Sequence, residues 1–179
     1  MSRRLLLISR WRLETTRERL WELLGKPADW PAWWPHLVGV TRLADGDAEG
    51  IGARHAVRWR SGLGYRLLMV ITSVRSNPCR ELEGQASGDL HGIGLWVITE
   101  DGPGAVRLTY RWDVELRKAW MRRLAFVLLP VFAWRHFAVM RSGARGMARR
   151  LGCRLSQVEE WSAITPEQGL RRARGSPAR

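Results

Sequence analysis

Between Val106 and Val114 the chain alternates without a fault. Val106, Leu108, Tyr110, Trp112 and Val114 interleave with Arg107, Thr109, Arg111 and Asp113. A period of two belongs to a strand with one buried and one wet face. The stretch Gly52 to Arg60 repeats it, with Ala53, His55, Val57 and Trp59 on one side and Arg54, Arg58 and Arg60 on the other. Tyr65, Leu67, Met69 and Ile71 share a face of the next strand, whose opposite face mixes Arg66 and Thr72 with Leu68 and Val70. Leu5–Leu13, Leu37–Leu43, Arg80–Ser87 and Leu90–Thr99 read as further strands. Turn residues at Asp45–Gly50, Ser61–Gly64, Asn77-Pro78 and Asp101–Gly104 separate them.

Two segments break the alternation. Glu14–Leu24 reads as a helix capped by Thr15 or Thr16, with Leu20, Leu23 and Leu24 inward and Gly25 as a stop. In the following Pro27–Pro35, Asp29 caps one short turn that Pro31 closes, and Trp30, Trp33 and Trp34 fold down onto the domain. Lys118–Leu151 is the one stretch long enough for a major helix. At 100° per residue His136, Met140, Gly143, Met147 and Leu151 share a side flanked by Phe137 and Ala144. Arg135, Arg141, Arg145 and Arg149 take the other. Its first half, Leu124–Trp134, is apolar all round, which predicts deeper cover, and Pro130 predicts a kink.

A strand, two short helices, six strands in a meander and one long helix make an α+β chain. The expected form is a curved antiparallel sheet of about seven strands, one face wet and the other on the last helix. Gly152 ends that helix, so residues 1–152 form the domain. Residues 153–179 form a basic extension, without periodicity and disordered from about Thr165.

Composition adds two features. Eleven tryptophans exceed Phe and Tyr together, which suits a bulky core or the walls of a pocket. The net charge is +13, and 28 of the 30 basic residues are arginines spread along the whole chain. With no basic block interleaved with aromatics, nucleic acid is not expected as a partner; solvated faces account for most of the charge. Peripheral contact with an anionic membrane, through the arginines and the apolar Leu124–Trp134 run, is a third functional reading. Cys79 and Cys153 form no metal or redox motif, and the apolar run near Met1 is too short for a leader. A cytoplasmic protein without metal or cofactor is expected.

Four stretches carry a resemblance: Leu20–Leu24 with Asp29–Pro35; Gly50–Arg54; Glu83–Leu90 through Gly94–Trp96; and Leu108–Asp113. Over about residues 5–151 the chain resembles the START-like, helix-grip superfamily often called SRPBCC, in particular its polyketide cyclase/dehydrase and lipid-transport group. The resemblance implies a sheet wrapped around the last helix with an elongated apolar cavity between them. It implies ligands such as lipids, sterols or polyketides, and carries over no universal catalytic residue.

The candidate cavity residues are Trp34, His55, Trp59, Tyr65, Met69, Trp96, Tyr110, Trp112, His136 and Met140. A hydrophobic small molecule, lipid-like or polyketide-like, is the expected partner. The enzymatic alternative is a polyketide cyclase or dehydratase, with His136 and Tyr110 as acid and base. Against it stands the plainer reading of His136 as a core histidine bonded to a strand residue such as Tyr110. Asp89 and His91 share a face, but the wet one. Gly92 and Gly94 either leave room for a ligand or permit the sheet to curve.

Overall fold

The computed structural model describes residues 3–60, 66–116 and 125–166. Strand β1 (Arg3–Leu13) leads into α1 (Arg17–Leu24), a 3-10 turn (Pro27–Asp29) and the single-turn α2 (Trp30–Trp33). Six strands follow: β2 (Leu37–Ala44), β3 (Arg54–Arg60), β4 (Arg66–Asn77), β5 (Glu81–Gly88), β6 (His91–Glu100) and β7 (Val106–Leu116). The long helix α3 (Ala125–Leu151) and β8 (Leu155–Pro166) complete the chain. All eight strands join one antiparallel sheet in the order β2-β3-β4-β5-β6-β7-β1-β8. This is the helix-grip architecture, with one strand more than the seven expected.

The alternation of β7 sets the concave face. Val106, Leu108, Trp112 and Val114 are buried and Tyr110 is half-buried among them. On the neighbouring β6, Gly92, Gly94, Trp96 and Ile98 face the same way. A Cβ on Gly94 would lie 2.8 Å from the Tyr110 hydroxyl, and one on Gly92 would run into the Asp113 carbonyl oxygen. Strand β7 thus packs closely on both glycines, through the Tyr110 side chain at Gly94 and the Asp113 backbone at Gly92.

Thr16 caps α1, its hydroxyl accepting from the Arg19 N–H, and Leu20 and Leu24 turn into the core. Pro31 does not close the following turn. It sits in the first turn of α2, where a missing N–H costs nothing. Trp30, Trp33 and Trp34 are all buried, with Trp33 and Trp34 stacked at 5.5 Å between ring centroids.

Helix α3 crosses the concave face and is gripped at its C-terminal half. Met140, Ala144, Met147, Ala148 and Leu151 are buried against the tryptophans of α2 and the sheet. Two glycines permit this approach: a Cβ on Gly143 would run into the Trp34 ring, and one on Gly146 into the Trp33 carbonyl oxygen. Gly152 (φ +61°) ends the helix. The N–H groups of Gly152 and Cys153 bond back to the Arg149 and Ala148 carbonyls, a Schellman motif.

Two expectations need correction, and two fall outside the described residues. The helix is described from Ala125, so its first residues from Lys118, and the hairpin at Ser61–Gly64, lie outside the described residues. Full cover of the apolar Leu124–Trp134 run is not found: Val131 is 47% and Trp134 57% exposed, because Ala133 and Phe137 are the residues that turn onto the sheet. Residues 155–166, expected to lie outside the folded domain, pair along β1 as strand β8. Arg10 and Arg141 bind Glu159 and Glu160 of that strand, tying it to both sheet and helix. Thr165 and Pro166 belong to β8, and the rest of the expected disordered tail lies outside the described residues.

Candidate functional site

Two chambers lie between the sheet and the helices. The first, about 310 Å³, sits under α1 and Trp30 and reaches the far ends of β3, β4 and β5, where His55, Ser73, Leu82, Glu83 and Ala86 line it. The second, about 200 Å³, lies against the N-terminal half of α3 and is lined by Met69, Leu90, Phe132, His136, Val139 and Met140. Trp34, Trp59, Ile71, Tyr110 and Trp112 line both. These five side chains form a partition of mainly aromatic rings. Trp34 meets Trp59 edge-on at 4.9 Å, and Tyr110 leans on Trp96 at 4.2 Å. Trp34 cannot turn freely, because its indole N–H donates to the Val139 carbonyl (3.0 Å) and its ring lies on Gly143.

Nine of the ten residues chosen from the pattern therefore border a chamber. Trp34, Trp59, Tyr110 and Trp112 border both, His55 and Trp96 the first, Met69, His136 and Met140 the second. Tyr65 lies outside the described residues. Asp89 and His91 border neither; the Asp89 carboxylate accepts from the Leu68 N–H (2.8 Å) and closes the β4–β5 pairing from outside. The pattern missed Ile71 in the partition and three basic side chains of the second chamber, His36, Arg60 and Arg135. Alternation put Arg60 on the wet face, and the helical wheel put Arg135 on the polar stripe. Side chains this long curl over the rim of a cavity whatever face their Cα occupies.

The polar atoms inside are few. Among the described residues the buried His136 Nε2 has no hydrogen-bond partner, and neither has the Trp59 Nε1–H. His136 is thus not the satisfied core histidine bonded to Tyr110; the two rings lie nearly parallel at 6.3 Å. Burial pushes the imidazole pKa down to about 3, and it pushes the Tyr110 phenol up. At neutral pH both are uncharged. A base works best with a pKa near the working pH, so this imidazole is a poor proton acceptor and a serviceable hydrogen-bonding group. His55 is also lowered, first by burial and then by the Arg42 charge. Among the described residues no three His, Cys, Asp or Glu side chains gather as a metal site, and no helix is long and apolar enough to cross a membrane.

The fold has known relatives. The profile of the family described as polyketide cyclase / dehydrase and lipid transport matches residues 12–152. The chain belongs to this family. Among solved structures, a protein from Thermus thermophilus superposes with a TM-score of 0.67 at 11% identity, over 81% of this chain and 98% of that one. A START superfamily protein from Mycobacterium smegmatis gives 0.67 at 14% identity, over 82% and 97%. The ZhuI aromatase/cyclase from Streptomyces sp. R1128 gives 0.61 at 12% identity, over 82% and 96%. At such identities these neighbours share the fold and nothing finer. No curated protein sequence matches the chain.

Proposed function

We propose that the protein binds a hydrophobic small molecule, lipid-like or aromatic and polyketide-like, between the sheet and α3. The observation that carries this is the pair of chambers, about 310 and 200 Å³, behind one mainly aromatic partition. A guest filling them removes apolar surface from water at roughly 25 cal/mol per Å². His136 Nε2 and the Trp59 indole N–H, unpartnered among the described residues, then orient its polar atoms. One solved structure of the same fold is an aromatase/cyclase, which makes ring-forming chemistry the natural alternative. The depressed basicity of His136 argues against that alternative here. A further reading, contact with an anionic bilayer, is favoured by the exposed Val131 and Trp134 beside Arg135.

Native mass spectrometry of the protein purified from its own host tests the first reading. The expected result is a stoichiometric added mass of a few hundred daltons that is lost on denaturation. Protein that carries nothing, and takes up no hydrophobic compound offered to it, contradicts the reading. Vesicle co-sedimentation that weakens with salt is the corresponding test for the bilayer.

A further inference from the structure

The rims of the two chambers differ in charge. The first is bordered by Glu49 and Glu83. Among the described residues the second is bordered by His36, Arg60 and Arg135 and by no carboxylate. Among the described residues neither Arg60 nor Arg135 enters an ion pair, although most carboxylates and many other arginines do. Arg135 is the more telling of the two. Its guanidinium carbon lies 4.6 Å from the centre of the Trp134 ring, while its buried Nε has no hydrogen-bond partner among the described residues. Stacking occupies the face of a guanidinium and leaves its edge, where the N–H fork points, able to grip an oxyanion. An unpaired, partly desolvated cation at the lip of an apolar chamber is costly to maintain alone. A ligand that supplies the missing negative charge removes that cost.

We infer that the second chamber takes an amphipathic anion, its apolar body lying along Met69, Phe132 and Met140 and its acidic head held at Arg60 and Arg135. This deepens the hydrophobic-ligand reading and rests on it. Carboxylate and phosphate heads share the chemistry, since both offer the paired oxygens that an arginine edge binds. The neutral atoms deeper in the chamber, His136 Nε2 among them, are left for a hydroxyl or ketone on the body of the ligand. The charge of +13 then has one local use in an otherwise solvated distribution.

The test uses the full chain and the neutral fluorescent reporter N-phenyl-1-naphthylamine. Decanoate, decyl phosphate and decanol are titrated in competition, so that chain length stays fixed and only the head changes. Decanoate or decyl phosphate should displace the reporter at least about tenfold more effectively than decanol, and whichever anion ranks higher names the head. R60Q and R135Q should each remove most of that preference while changing decanol binding less than about twofold. In the unmodified protein the preference should shrink as salt rises from about 20 to about 500 mM, which needs no variant to fold. Displacement by decanol equal to that by both anions overturns the inference but leaves the hydrophobic pocket standing. Failure of the reporter and all three compounds to bind overturns both.

Discussion

The two halves of α3 do different work with similar residues. From Gly143 to Leu151 the helix is a plug: Ala144 and Met147 are fully buried, and two glycines let Trp33 and Trp34 sit directly on the backbone. From Pro130 to Met140 it is a wall. Val131 and Trp134 face outward, Phe132 and His136 are half-buried beside a chamber, and only Ala133, Phe137 and Met140 are buried. Apolar content does not separate the halves, since the outer half is the more apolar. Side-chain bulk does. Small residues close the gap to the sheet, and large ones hold it open.

The contrast breaks most easily at Gly146. A methyl there meets the Trp33 carbonyl oxygen, so Gly146→Ala should cost about 3 kcal/mol in a denaturant titration, at the upper end for overpacking. An equally local change at the wall should behave oppositely. Phe132→Ala is expected to cost less than about 1.5 kcal/mol in stability yet to weaken hydrophobic-ligand affinity about tenfold, read by calorimetric titration.

The concave face of β7 was legible because one period ran through it without interruption, and the burial of Trp30, Trp33 and Trp34 because three such rings are costly to leave in water. Strand β8 was not. Its exposed apolar residues Val158, Trp161 and Ile164 fall three apart. A slip in register against β1 between Arg10 and Arg12, together with a left-handed Gln157 (φ +49°), breaks the phase. Its anchoring partners, Arg10 and Arg141, are distant in sequence. The cavity-facing rings were also legible, but not the basic rim, because a rim depends on where a cavity opens and not on which face a residue occupies.

A subtler difference between the halves is electrostatic. The His136 pKa is held near 3 in the fold, below the ordinary 6.5, so the unfolded chain takes the proton first. Stability is therefore complete above about pH 6.5 and falls by about 1.4 kcal/mol per pH unit from this group as pH drops toward 3. His136→Leu should remove that slope, leaving the weaker contribution of the same sign from His55. Unfolding midpoints measured across pH 7 to about 4 read it directly. The smallest effect belongs to Val131→Ser, on the outer surface of the wall, which should change stability by no more than about 0.5 kcal/mol.

The most direct measurement is saturation binding of N-phenyl-1-naphthylamine to the unmodified protein and to Ile71→Trp, whose larger ring would enter the space beside a residue bordering both chambers. A vacancy under the wall of α3 predicts saturable one-to-one binding that weakens at least about tenfold in the variant, with no loss of folding. Absence of saturation, or identical binding by the two proteins, would contradict it.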